Sequence, residues 1–260
     1  QRDIDRVQEI WRDCRKAYGA AGPYLFGHLT LADCFYAPVV SRFTTYRVPM
    51  DGNGLNPLLQ DPWMTIHPPV LFTGFSSLAV PFAIAMAALV RREWDGWIKP
   101  VLPWAVFSTA ILATGFTMGG VWAYKVLGWG GYWGWDPVEN GSLIPWLSNV
   151  ALLHGLMIQR VQGSLRRTNL FLAITSYVLV LYASFLTRSG VLADFSVHSF
   201  VNLGLNGFLL TFLFLIMGLG YGTLLYRMRE IPGPPHPLGN FSRESMMWLG
   251  QLVLMLMCAL

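Results

Sequence analysis

The sequence predicts an all-α, polytopic helical membrane protein, with five complete spans and a truncated sixth, behind a short soluble-like helical segment. Three observations predict it. The chain is 54% hydrophobic and 12% charged, where a soluble domain carries about 25% charged residues. The charge is uneven, with residues 1–50 holding 7 of the 18 Lys/Arg and 5 of the 14 Asp/Glu. Beyond them come apolar runs near the ~20 residues that cross ~30 Å of hydrocarbon. Two domains are therefore expected, 1–48 and 49–260.

The net charge of +4 does not point to nucleic acid, because the basic residues form short clusters between apolar runs. That is how membrane loops look, so lipid is an expected partner. Cys14, Cys34 and Cys258 form no CxxC and no disulfide framework, and read as structural thiols. The lack of CxxCH excludes a c-type cytochrome. No initiator Met or signal peptide opens the chain, and it stops inside the apolar run Trp248–Leu260. It is read as a piece of a longer protein.

Asp3 to Tyr18 is amphipathic, with Ile4, Val7, Trp11 and Cys14 at helical spacing. A Gly/Pro break follows, and Thr30-Leu31-Ala32-Asp33 opens a second helix as a variant capping box. The spans are expected at Pro68–Val90, Val101–Tyr124, Leu143–Ile158, Thr168–Thr187 and Leu205–Tyr226, with a sixth from Met246. The third is short and contains His154. Loop charge sets the expected orientation. Arg91, Arg92, Lys99, Arg160, Arg166, Arg167, Arg227, Arg229 and Arg243 fall in alternate loops, against Lys125 and Arg188 in the others. The basic loops then face the cytoplasm, and the region before Pro68, the 125–142 loop and the 188–203 loop face outward.

The outward loops hold the unusual chemistry. Trp129, Tyr132, Trp133 and Trp135 lie within seven residues, interleaved with glycines and followed by Asp136-Pro137-Val138-Glu139-Asn140. Aromatic rings supply flat apolar area and Gly lets backbone approach a ligand. If helical, Trp129, Trp133, Asp136 and Asn140 would share a face. Such a shelf suits a planar apolar ligand with polar substituents; the competing reading is an interfacial aromatic belt. His67 precedes Pro68-Pro69 and is expected in extended backbone just outside the first span. His198 lies in the other outward loop. Two imidazoles flanking an aromatic shelf match the needs of a six-coordinate haem iron. Arg188, also outward, could meet a propionate or close a salt bridge within its loop. His154 sits eleven residues into its span, ~17 Å at ~1.5 Å per residue. An ionisable group near mid-membrane is a functional candidate, here an axial ligand of a second, buried haem, or else a helix–helix hydrogen bond. His28 and His236 look like background.

Two resemblances are carried by these residues. Phe26-Gly27, Thr30 to Asp33 and Tyr36 to Arg42 resemble part of the C-terminal domain of glutathione S-transferases, over about the first 48 residues. The glutathione-binding half of that family has no counterpart, so no transferase activity is implied. Leu55 to Gln60 through His67-Pro68-Pro69, Trp129 to Asn140, Ala151 to His154, and Thr187 to Val191 through His198 resemble the cytochrome c maturation haem lyases of the CcmF/CcsA type. This resemblance runs from about residue 51 to the end. It implies His67 and His198 as axial ligands of an external haem in transit, cradled by Trp129, Trp133, Trp135 and Asp136. It implies His154 as a ligand of a transmembrane b-type haem. It also implies an apocytochrome c CxxCH segment and haem-delivery and thiol-reduction proteins as partners, thioether formation, and residence in a bacterial inner membrane. Two other readings stay open on the residues alone: a haem transporter or channel with His154 lining the path, and, more distantly, a glutathione-dependent enzyme.

Overall fold

A computed structural model describes residues 2–18, 60–127, 131–192, 196, 198–199, 204–233 and 243–257. Every regular element among them is a helix. The chain divides into two units, Gln1–Gln60 and Asp61–Leu260. In the first, only α1 (Arg2–Tyr18) is described, where the amphipathic spacing predicted it. The remainder of the transferase-like stretch and the Leu55–Leu59 motif lie outside the described residues.

The second unit holds α2 (Pro62–Ser77), α3 (Ala79–Arg91), α4 (Ile98–Val126), α5 (Pro137–Gln162), α6 (Arg166–Arg188), α7 (Asn206–Arg227) and α8 (Arg243–Met257). With α2 and α3 counted as one span, five are long and apolar enough to cross a membrane. The protein is a polytopic helical membrane protein. The sixth predicted span corresponds to α8.

The first span is interrupted at Leu78, between α2 and α3. Pro81 is the third residue of α3 and brings no N–H for the carbonyl of Ser77. Beside the break, Ser77 Oγ donates to Gly74 O at 2.7 Å and pairs with the Ser108 hydroxyl of α4 at 2.8 Å. The third span is longer than hydropathy suggested, 26 residues from Pro137. Asp136 caps it, Pro137 fills its first position and Glu139 completes a capping box. Gly163, at φ 65, ends it in the left-handed turn.

Packing follows small residues and shared hydrogen bonds, the usual glue between membrane helices. α2 crosses α4 so closely that a Cβ on Gly115 would lie 2.6 Å from Leu71 Cα, and one on Gly74 2.8 Å from Leu112 Cα. α5 is the hub. Asn149 Nδ2 donates to Ala105 O at 3.0 Å and Thr109 Oγ1 at 2.8 Å of α4. Ser148 accepts from Ser176 of α6 at 2.9 Å. Gln251 of α8 donates to Ala151 O at 2.7 Å. The apolar core, including Leu89, Leu152, Leu156, Leu170 and Ile174, fills the space between α3, α5 and α6.

One end of this bundle gathers the basic loops. Arg166 makes two 2.8 Å bonds to the Asp95 carboxylate, Gln159 donates to Trp94 O at 2.7 Å, and Arg167 donates to Ile231 O at 2.9 Å. Trp122, the described part of the tryptophan-rich segment and two of the histidines lie at the other end.

Candidate functional site

The start of α2, the end of α4, the start of α5 and the segment after α6 meet at that second end. Asp61 caps α2 by accepting from Trp63 N at 2.8 Å, and Pro62 follows at the first helical position. His67 is therefore already inside the helix, in α-helical backbone. The expectation of an extended residue outside the first span is corrected: the cap at Asp61 starts the helix a turn and a half earlier than the Pro68-Pro69 signal. Pro68 and Pro69 sit within α2 and only remove the N–H groups that would have met the Met64 and Thr65 carbonyls.

The His67 ring is buried. Its Nδ1 lies 2.6 Å from Trp63 O. A carbonyl only accepts, so Nδ1 carries the proton and Nε2 keeps a free lone pair. The ring stacks on Trp122 of α4, centroids 5.7 Å apart and planes at 27°. Gly119 lies against it; a Cβ there would meet His67 Cδ2 at 3.3 Å.

His198 approaches the same indole edge-on, again at 5.7 Å, with planes at 68°. The two imidazole centres are thus no farther apart than twice that distance. His198 Nδ1 is 3.1 Å from Asp136 Oδ2, Ser196 Oγ donates to that same oxygen at 2.7 Å, and Ser196 Oγ accepts from His198 N at 3.1 Å. Burial works to raise the Asp136 carboxyl, but hydrogen bonds from His198 and Ser196 outweigh it and hold the group below the usual carboxylate range. A carboxylate only accepts, so Nδ1 of His198 carries the proton of that bond, and in the neutral imidazole Nε2 keeps its lone pair.

The tryptophan-rich segment is not helical where it is described. Residues 131–136 form a turn and irregular backbone leading into α5, so the shared helical face is corrected, and Trp129 lies outside the described residues. Its glycines and the following cap hold the chain away from helical geometry. Glu139 Oε2 accepts from Gly134 N at 2.8 Å and Asp136 N at 3.4 Å. Asn140 accepts from Trp133 Nε1 at 3.2 Å and donates to Trp135 O at 3.5 Å. Trp133 meets Phe116 edge-on, and Tyr132 stacks on Tyr124 at 4.4 Å. Trp135 has φ 56 and is 73% exposed. Arg188 lies in the last turn of α6 at the same end, exposed.

Sequence reasoning singled out His67, His198 and Asp136; the structure brings the two imidazoles to one indole and Asp136 to His198. It missed Trp122 and Ser196. Trp122 looked like one more apolar residue of a span; Ser196, two before His198, could have been noticed as a local hydrogen-bonding partner. His154 is separate. It lies on an exposed face of α5 with Nδ1 2.8 Å from Val150 O, again leaving Nε2 free. Counted from Pro137 it is ~26 Å along the helix, closer to the basic end than the short span implied.

A sequence profile described as Cytochrome C assembly protein matches residues 24–193, entering the segment that resembles a transferase. The chain is 42% identical over 209 residues to the cytochrome c-type biogenesis protein CcmF of Pseudomonas aeruginosa, covering 80% of this chain and 31% of that protein. It is 43% identical over 179 residues to CcmF of Escherichia coli strain K12, covering 68% and 27%. A solved structure titled cytochrome c heme lyase CcmF superposes with a TM-score of 0.63 at 32% identity, covering 77% of this chain and 30% of that one. The chain spans about a third of the length of these relatives. With a family match over more than half of its residues, the chain belongs to the cytochrome c assembly protein family.

Proposed function

We propose that this chain is the haem-holding part of a cytochrome c haem lyase. The carrying observation is that His67 and His198 both contact Trp122 while each keeps its Nε2 lone pair free. Two such donors suit the two axial positions of a haem iron. On this reading haem is the substrate in transit. Trp129, Trp133 and Trp135 supply flat apolar surface, Asp136 borders it, and Arg188 faces a propionate. The vinyl groups are presented to the reduced thiols of an apocytochrome c CxxCH segment. Each S–H adds across a vinyl C=C to give a thioether, with no leaving group. The chain's contribution is positioning.

His154, with its own Nε2 free, would hold one side of a resident b-type haem, whose chemistry is electron transfer. Among the described residues the other histidine within a span is His67, near the start of the first one and assigned to the external haem, so the opposite ligand would come from elsewhere in the full-length protein. The site end faces outward from a bacterial inner membrane on this reading, because the basic loops gather at the opposite end. Haem-delivery and thiol-reducing proteins complete the expected partners.

The test is haem retention by the purified full-length protein. His67→Ala and His198→Ala should each lose most of the external haem while the reduced b-type spectrum persists. Undiminished retention in both variants would reject the reading.

A further inference from the structure

The two imidazoles are held by different chemistry. His67 gives its Nδ1 proton to the neutral carbonyl of Trp63; His198 gives its own to the carboxylate of Asp136. That carboxylate is held by a second donor and by its place in the chain. Ser196 donates to the oxygen that His198 uses, and Asp136 is the cap residue of α5, its backbone N–H donating to Glu139 Oε2 at 3.4 Å. The Asp136 side chain is 9% exposed and that of His198 22% exposed, so water competes little for the bond. A carboxylate behind a ligating imidazole sets its tautomer and ring orientation and makes it more basic; a carbonyl does so more weakly.

We propose that Asp136 is the positioning residue of this site, pinned by Ser196, and that it makes His198 the stronger of two inequivalent imidazole donors to a haem iron. Asp136 then acts through His198 and needs no contact with the porphyrin. This rests on His67 and His198 being the external ligands. It assigns to Asp136 a role that lining an aromatic shelf does not require. A stronger donor favours the ferric state, so the carboxylate keeps the midpoint potential of the external haem low.

Asp136→Asn is the informative variant, since Asn caps a helix as well as Asp and α5 should keep its start. Haemin is titrated into the detergent-purified full-length protein, and the midpoint potential of the external haem is read optically. Asp136→Asn should raise the haemin Kd about tenfold or more and move the potential upward. Ser196→Ala should do the same to a smaller degree. Added to His67→Ala, Asp136→Asn should raise Kd by the same factor; added to His198→Ala, it should change nothing. Wild-type binding and potential in Asp136→Asn would overturn the proposal, as would a factor that persists without His198. If His67→Ala and His198→Ala themselves bind haemin as the wild type does, the proposed function falls and this inference falls with it.

Discussion

Trp135 holds φ 56, the left-handed region where a bulky side chain is strained by about 1–3 kcal/mol. Its backbone is clamped on both sides, by Glu139 at Gly134 and Asp136 and by Asn140 at its own carbonyl. The result is an indole projected outward at 73% exposure from a rigid base. Trp135→Gly should relieve the strain, so that thermal stability changes by no more than about 1 kcal/mol. Haemin binding should nonetheless weaken. A melt and a titration on one sample check this; unchanged binding would mean that the indole is not part of the platform. At this scale the sequence was partly legible. The residue types of the tryptophan-rich segment and the Asp-Pro-x-Glu signature were visible, and the cap could have been read from them. The contact of Asp136 with His198 could not, because 62 residues separate them and no local rule spans that distance. His67 was misplaced for a local reason: the bias of a pre-proline residue toward extended backbone was overridden by the cap that Asp61 had already set.

Helices α2 and α4 carry the paired close approaches. Gly115 faces Leu71 backbone at a distance no side chain tolerates, and Gly74 faces Leu112 in the same way. Because backbone is the obstacle, neither helix can yield by rotating a side chain. Gly115→Val should separate the crossing and cost about 1–3 kcal/mol, lowering the melting temperature and the yield of folded protein. His67 rides on α2 and Trp122 on α4, so haemin binding should weaken as well. Wild-type melting would show that the crossing can shift freely. Span existence was legible from hydropathy; span limits were not. Pro137 to Ser142 contains few apolar residues, so the first turns of α5 were hidden from a hydrophobicity count although the capping box announced them. The break at Leu78 was hidden inside the first apolar stretch, with Ser76-Ser77 and Pro81 as its signs.

The bundle as a whole is tied at the basic end by Asp95. The Arg166 hydrogen bond holds the Asp95 carboxyl below its usual value, against burial and with help from Gln159. A lowered folded-state value means that this link stabilises the fold above the ordinary Asp range, near ~3.9. It fades as pH falls through the lower folded value. The Asp95 side chain is 53% exposed, so solvent screening keeps its contribution small, under about 1 kcal/mol. Arg166→Ala should therefore lower the melting temperature slightly at pH 7, and by less at pH 3. An equal deficit at both pH values would assign the effect to the Arg166 bond with Gly233 O instead. The segregation of charge to one end was legible from loop composition, because charged residues avoid hydrocarbon. Which charges pair was not, since the α3–α4 loop and the start of α6 are far apart in sequence.

The two consecutive prolines in α2 also bear on which part of the first span suits the oily layer. The Met64 and Thr65 carbonyls lose their regular helical donors to Pro68 and Pro69, and a backbone group without a partner is costly in an oily layer. At 30 residues, or ~45 Å, the first span exceeds the ~30 Å it must traverse. A surplus placed where those carbonyls are wetted satisfies both needs, and the prolines then act as a waterline with the His67 turn at the polar boundary.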